Sequence, residues 1–475
     1  MTIAELVGQA TVGEVGFSAD QCLKCNVCNT VCPVARVTDL FPGPKYVGPQ
    51  AQRFRSATAL APQGLGLPTI ATPDRTVDYC SSCGICTTAC PAGVKIAEMN
   101  SRARAVRRET VRAPFRDWLL GQTDLTGRLG VAFAPLANWT LRNGLLRALI
   151  EWVVGIHRQA PLPVFARRTF RARWAARPQT HSPSPELGPE RAVVYFHGCA
   201  ANYYEPGVAE AAIAVLRRNG FETIVPPQVC CGLPLISNGL YADARRRARQ
   251  NLDVLSDYAR RGYRIVGTST SCTHTLKAEY REMLDLDDEA ARVVAEATWD
   301  ICEFLRELAD TGRLDTGFGR LDEDLPYHAP CQLRSHGIGL PALDLFALVP
   351  GLRAIDLDHD CCGVAGTYGL KREKYDIAMA VGAPLFERVR ASGAARAACD
   401  SETCRWQIER ASGTPMRHPV EILAAAYAAG DLAAANAAGD PAGTGPGART
   451  GAGAATRDAD TAAGAASPGP DAAAE

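Results

Sequence analysis

Apolar positions recur along this chain with two different periods. Between residues 191 and 428, short continuous apolar runs alternate with longer segments of helical spacing. AVVYFHGC runs to Cys199 and LPYHAPC to Cys331, each reading as a buried strand that ends at a cysteine. A helical pattern follows each run, GVAEAAIAVLRRNG in the first and PALDLFALVPG in the second. Then come Cys230-Cys231-Gly232 and Cys361-Cys362-Gly363. Charged amphipathic segments continue, ADARRRARQNLDVLSDYARRG and KREKYDIAMAVGAPLFERVRASG, and a second strand is expected to end at Cys272 or Cys404. The intervening lengths agree, 30 and 40 residues against 29 and 41. Two copies of a strand–helix unit predict tandem α/β modules over 191–310 and 311–428.

The remaining pattern predicts a multidomain chain. Residues 18–112 carry eight cysteines, with helix formers such as VKIAEMNSRARAVRRE after the second cluster, and predict an α-helical domain. Residues 113–190 contain no cysteine. There Leu145, Leu146, Leu149, Ile150, Val153 and Val154 recur at helical spacing, with Trp118, Trp139, Trp152 and Trp174 among arginines. This predicts a helical connector that contacts either a membrane interface or a packed partner. Residues 429–475 are almost entirely Ala, Gly, Pro, Asp and Thr and predict a disordered tail.

Composition narrows the chemistry. Among 475 residues the formal net charge is zero, so nothing global points to nucleic acid or an anionic membrane as partner. The amino terminus has neither a basic start nor an apolar core, which predicts no signal peptide. The longest uncharged runs, 56–73 and 223–242, are interrupted by Pro and Gly, so no transmembrane helix is expected. Eighteen cysteines in a chain expected to be cytosolic read as metal or redox groups.

Eight of them fall in two identical motifs. Cys22, Cys25, Cys28 and Cys32 precede Pro33, and Cys80, Cys83, Cys86 and Cys90 precede Pro91, each as C-x2-C-x2-C-x3-C-P. This is the ligand spacing of bacterial two-cluster ferredoxins. Three cysteines two residues apart curl round one face of a cubane, and the fourth reaches the other cluster. The expected sets are therefore Cys22, Cys25, Cys28 and Cys90 for one [4Fe-4S] cluster, and Cys80, Cys83, Cys86 and Cys32 for the second. Zinc sites ordinarily use two separated C-x2-C pairs and fit this arrangement poorly.

The modules add Cys199, Cys230, Cys231 and Cys272, then Cys331, Cys361, Cys362 and Cys404. Adjacent cysteines chelate one tetrahedral ion awkwardly and suit a multi-iron cluster better, so one or two further iron–sulfur clusters are expected here. Zinc binding, a vicinal disulfide and simple packing are the competing readings. Gly232 and Gly363 are expected to allow a positive φ beside the site. His197 and His328, just before each first cysteine, are candidates for ligation or proton handling. Cys302 lies outside both patterns and reads as a buried thiol.

These segments carry a family resemblance. CPVARV with FPGPKYVGP, HGCAANY, CCGLPLISNG, TSTSCT, CCGVAGTYGLKRE, VGAPLFERV and ETCRWQIE together resemble the C subunits of anaerobic glycerol-3-phosphate dehydrogenases, from about Cys22 to Ala426. Glycolate oxidase iron–sulfur subunits and heterodisulfide reductase subunits share the architecture. The resemblance implies an electron-transfer subunit of an oxidoreductase complex, fed by flavin-bearing A and B subunits and delivering electrons to membrane quinone, menaquinone in particular. It also implies peripheral attachment at the cytoplasmic face of the inner membrane. No G-x-G-x-x-G opens a helix, so no substrate-oxidising or catalytic residue is expected in this chain. A 2-hydroxy acid (glycolate or lactate) oxidase subunit, a thiol–disulfide reductase and a zinc scaffold are the alternatives. One departure stands out: Ser401 occupies the family's first position of Cys-x-x-Cys. Cys399 lies two residues earlier, ~6.6 Å away along a strand, and would replace it only with a backbone shift.

Overall fold

The computed structural model describes residues 18–52, 75–177, 187–359 and 361–438. Among the described residues, those to Ala433 belong to one compact unit and those from Ala434 to a second. Residues 53–74 of the 47-residue spacer between the cysteine motifs, and the tail beyond Ala438, lie outside the described residues.

Among the described residues, 18–52 and 75–177 are built from helices and helical turns, with a single isolated bridge between Ile156 and Lys371. Helix α1 (Ile96–Thr110) leaves the second cysteine motif, and α2 (Phe115–Gly121), α3 (Thr123–Ala132), α4 (Ala134–Arg142) and α5 (Gly144–Val154) form the connector. Asn143 starts α5 by accepting the N–H groups of Leu145 and Leu146, and Gly155 ends it at φ +84°. The apolar stripe of α5 is divided rather than uniform. Ile150 and Val154 pack against Ile156 and Tyr375, while Leu145, Leu149, Trp152 and Val153 face outward.

Two four-stranded parallel sheets follow. The first holds β1 (Ala192–Phe196), β2 (Glu222–Ile224), β3 (Ile265–Gly267) and β4 (Thr298–Asp300) in the order β2-β1-β3-β4. The second holds β5 (Glu323–His328), β6 (Leu352–Asp356), β7 (Ala397–Cys399) and β8 (Met416–Arg417) in the order β6-β5-β7-β8. Helices α6 (Pro206–Arg218), α7 (Tyr241–Arg260) and α8 (Ile301–Asp310) belong to the first copy. Helices α9 (Tyr375–Ala391), α10 (Glu402–Ser412) and α11 (Pro419–Ala438) belong to the second. The copies therefore match strand for strand, and one core joins them: Tyr195, Val266 and Ile301 share it with Tyr327, Ala398 and Val420.

Three expectations need correction. Each copy has four strands, because β2, β4, β6 and β8 are two to five residues long and too short to show a period. The last cysteines do not end strands: Cys272 lies on a short helix, Thr270–His274, beyond β3, and Cys404 lies on α10 beyond β7. The tail does not begin at residue 429, since α11 continues to Ala438. Buried Val420, Ile422, Leu423, Ala426 and Tyr427 anchor its first turns, and alanine, the strongest helix former, carries the helix onward.

Candidate iron–sulfur centres

The two ferredoxin-type loops have the same backbone. Lys24 and Asn26 adopt φ of +57° and +73°, and their counterparts Ser82 and Gly84 adopt +55° and +82°. Three of these four are not glycine, and such residues in the left-handed region cost ~1–2 kcal/mol each. The strain is placed where each loop must turn three sulfurs toward a common centre. Each loop then enters one helical turn, Val27–Thr30 or Ile85–Thr88.

The structure brings these thiols together in the crossed arrangement. Cys28 is influenced by Cys22, Cys25 and Cys90, whereas Cys83 and Cys86 are influenced by Cys32 and Cys80. Burial raises the Cys28, Cys83 and Cys86 thiols and pushes Cys32 up to about 11. Backbone N–H groups already point at sulfur, Ala35 at Cys32 and Ser82 at Cys80, both 3.4 Å. Eight converging sulfurs with N–H···S contacts fit two cubane clusters, whose irons would offset the desolvation cost.

In the modules, topology does the gathering. An order of 2-1-3-4 reverses direction between β1 and β3, and between β5 and β7, which opens a crevice beyond their carboxyl ends. Cys199 follows β1 and Cys272 follows β3; Cys331 follows β5 and Cys404 follows β7. The Cys-Cys-Gly turns complete each crevice. Gly232 and Gly363 have φ of +94° and +86°, and their N–H groups approach the sulfurs of Cys230 and Cys361 at 3.5 and 3.3 Å.

The first module forms a chain of sulfur contacts, Cys199 to Cys230 to Cys231 to Cys272. The Cys199 and Cys231 thiols favour the thiolate of Cys230 and draw its pKa well down. Asp124 of α3 closes this module, accepting the Cys230 N–H at 3.0 Å and Arg247 at 2.7 Å. The second module divides its thiols. Cys331 contacts Cys361, while Cys404 lies between Cys362 and Cys399 and is likewise drawn down. A ring nitrogen of His328 and the sulfurs of Cys362 and Cys404 all lie within 4.8 Å of one another.

Cys399 is fully buried at the end of β7, and its sulfur meets Cys404. The chain turns at Ser401 to start α10, so this contact needs no displacement of a strand. His197 behaves differently from His328. Its Nδ1 donates to the Gly198 carbonyl at 2.6 Å, and burial pulls its pKa to about 4, which leaves it neutral. Cys302 is buried as expected, beside Asp300 and Asp400.

One cavity of about 90 Å³ joins these parts. Cys231 and Cys272 of the first module face it, with Cys331, Cys361, Cys362 and Cys404 of the second. Cys83 of the ferredoxin-type region reaches the same cavity and packs in one apolar cluster with Cys331 and Cys361. Sequence reasoning assigned Cys83 to its motif only. It also missed Asp124 and the cavity-lining Glu279, which belong to no spacing pattern.

Comparison with known proteins agrees with this division. Residues 18–94 match a family described as a 4Fe-4S dicluster domain, and residues 193–277 and 325–409 each match the cysteine-rich (CCG) domain. The chain is 36% identical over 413 residues to the C subunit of anaerobic glycerol-3-phosphate dehydrogenase from Escherichia coli K12, with 86% of this chain and 99% of that one covered. It is 26% identical to the glycolate oxidase iron-sulfur subunit of the same strain, with 85% and 92% covered. Identity to the D subunit of the dihydromethanophenazine:CoB–CoM heterodisulfide reductase from Methanosarcina acetivorans is 23%, with 76% and 81% covered.

Proposed function

The chain belongs to the family of C subunits of anaerobic glycerol-3-phosphate dehydrogenase, and from that premise we propose that it takes electrons from flavin-bearing dehydrogenase subunits and delivers them to membrane quinone. It is an iron–sulfur electron-transfer subunit of an oxidoreductase complex. In the proposed arrangement Cys22, Cys25, Cys28 and Cys90 hold one [4Fe-4S] cluster, and Cys80, Cys83, Cys86 and Cys32 hold the other. Each cluster, when bound, supplies a one-electron carrier. Cys199, Cys230, Cys231 and Cys272 form a third metal site, and Cys331, Cys361, Cys362 and Cys404 a fourth, where His328 and Cys399 stand close enough to contribute.

The observation that carries this reading is the contact of Cys83 with Cys331 and Cys361. It makes the ferredoxin-type region and the second module continuous at the level of ligand side chains. Reconstitution with the flavin-bearing subunits tests it: glycerol 3-phosphate oxidation should reduce quinone only when this chain is present.

The same proposal places the connector on the membrane. Among the described residues no helix is long and apolar enough to cross a bilayer. Phe115, Leu129, Phe133, Leu136, Trp139, Leu145, Trp152 and Val153 are nevertheless exposed. All three acidic residues from 113 to 177, Asp117, Asp124 and Glu151, are buried. The exposed charges there are arginines, including Arg128, Arg142, Arg167 and Arg168, and also Arg158, which pairs with Glu151. Apolar side chains set among cations suit the headgroup plane of an anionic bilayer. Trp152→Glu together with Leu149→Glu should abolish flotation with anionic vesicles and leave the visible spectrum unchanged; flotation equal to wild type would remove the connector from membrane contact.

A further inference from the structure

The two modules differ at one register position of their central strands. In the second, His328 ends β5 and lies directly opposite Cys399, the last residue of β7. Opposed residues of neighbouring strands point to the same face of the sheet. In the first, the opposed pair is Phe196 of β1 and Gly267 of β3. The cysteines fix this correspondence. His328 and Phe196 each stand three residues before Cys331 or Cys199, and Cys399 and Gly267 each five before Cys404 or Cys272. His197 is one place out of register and is not the counterpart of His328. We propose that His328 is a nitrogen ligand, and Cys399 a thiolate ligand, of the metal centre in the second module, whereas the first module offers sulfur donors only. This inference rests on the reading of the second module as an iron centre.

The geometry supports it. A ring nitrogen of His328 and the sulfurs of Cys362 and Cys404 lie within 4.8 Å of one another, all buried. Cys399 joins the group through Cys404, whose sulfur it meets. The His328 ring is close enough to Cys404 to favour its thiolate, yet neither ring nitrogen makes a hydrogen bond. A neutral imidazole carries one N–H and one lone pair, and at 0% exposure neither reaches water. The other two fully buried histidines of the modules are placed differently. His418 accepts the Val420 N–H at Nδ1, 3.0 Å, and its Nε2 meets the Thr268 carbonyl at 2.7 Å. His197 is tied to Gly198 through Nδ1 and packs edge-on against Phe170 at 5.6 Å. Among the described residues it joins no group of thiols.

Once the thiols ionise, the His328 lone pair and the sulfurs are electron-pair donors with no proton to share, and a metal satisfies all of them. Imidazole in place of thiolate on one iron is a known option for iron–sulfur centres. The second nitrogen has a partner at hand. Asp400 lies within electrostatic reach of His328, and its Oδ1 is buried without a hydrogen bond, while Oδ2 accepts the Tyr327 hydroxyl at 2.6 Å. Metal-bound imidazoles characteristically turn their remaining N–H to such a carboxylate. Ligation transfers no electrons. The imidazole binds as the neutral base, and Cys399 binds as thiolate after releasing its proton.

The test uses full-length protein purified without oxygen from cells fed natural or heavy-nitrogen histidine. Pulsed electron paramagnetic resonance of the second-module signal, identified by its loss in Cys361→Ser, should show a coordinated nitrogen whose pattern changes with the isotope. The first-module signal, identified by its loss in Cys230→Ser, should show none. His328→Cys should keep a second-module signal and lose the isotope dependence entirely, and His197→Ala should change neither signal. Cys399→Ala should lower the iron bound at the second module; full iron content there would remove Cys399 from the set. A second-module signal that is indifferent to the isotope in the wild-type protein would overturn ligation by His328. So would an isotope dependence that survives in His328→Cys. Equal iron content in wild type and Cys361→Ser, with no second-module signal, would overturn the parent reading and the ligation together.

Discussion

The two cysteine-rich modules share strand order, cysteine spacing and a positive-φ glycine, yet their surroundings differ. The first faces the connector: Asp124 caps Cys230, and its four sulfurs form one chain of contacts. The second faces the ferredoxin-type region through Cys83, and adds His328 and Cys399 around Cys404. The two crevices are alike, and their neighbours differ. On the proposed reading, in which both modules hold clusters, electrons would enter at the second module and reach the first across the shared cavity.

The largest structural effect should come from the buried polar centre that holds the connector on the second module. Asp117 is 1% exposed and pairs with Lys371 at 3.0 Å, Arg116 at 3.2 Å and Arg108 at 3.3 Å. Asp117→Ala leaves buried Lys371 without a carboxylate, while Arg116 keeps Glu373 and Arg108 keeps Asp78, and should cost ~3–5 kcal/mol in denaturant unfolding. The matching contact on the first module is smaller: Asp124→Ala should cost ~1–3 kcal/mol, by leaving the Cys230 N–H without its acceptor.

The equivalent glycines give a sharper contrast. A Cβ at Gly363 would stand 1.9 Å from the Ala378 carbonyl oxygen, inside any tolerable contact, whereas at Gly232 the nearest atom is 3.6 Å away. Gly363→Ala should therefore lose the second module's metal signal and unfold more readily. Gly232→Ala should cost ~1–2 kcal/mol for its backbone conformation alone and keep the first module's metal. Equal costs would mean that the two turns are interchangeable after all.

The smallest effect concerns the seam between the modules. Asp300 ends β4 and Asp400 follows β7; burial raises both pKa values, and repulsion from Asp400 adds to the rise at Asp300. Groups raised on folding stabilise below the ordinary Asp range near ~4 and lose that contribution as pH rises through their folded values. Asp300→Asn keeps a side chain able to cap α8 and removes one charge of the pair. Its thermal midpoint should match wild type at low pH and exceed it at pH 8; coincident curves across the range would show that the pair is not titrating.

Much of this site was legible in the sequence, and the reasons are specific. A cubane needs thiols at fixed spacing, so Cys22 to Cys32 and Cys80 to Cys90 announce themselves, and the repeat made the module cysteines equally visible. What stayed hidden depends on tertiary placement. Cys83 looks like its seven companions until the fold sets it against Cys361. Cys399 looked two residues out of place because its reach was judged along a strand, and the chain turns at Ser401 instead. Glu279 has no motif at all; it lines a cavity enclosed by segments far apart in the sequence. The short strands β2, β4 and β8 were invisible because two or three residues carry no period, and α11 outran its apolar anchor on alanine propensity.

The order of the path can be measured directly. Paired preparations of the reconstituted complex, Cys361→Ser and Cys230→Ser, would be reduced with glycerol 3-phosphate, frozen within one turnover and examined by electron paramagnetic resonance. With entry at the second module, Cys361→Ser should leave the first module oxidised while both ferredoxin-type centres are reduced, and Cys230→Ser should leave the second module fully reducible. Reduction of the first module at the wild-type rate in Cys361→Ser would contradict the account.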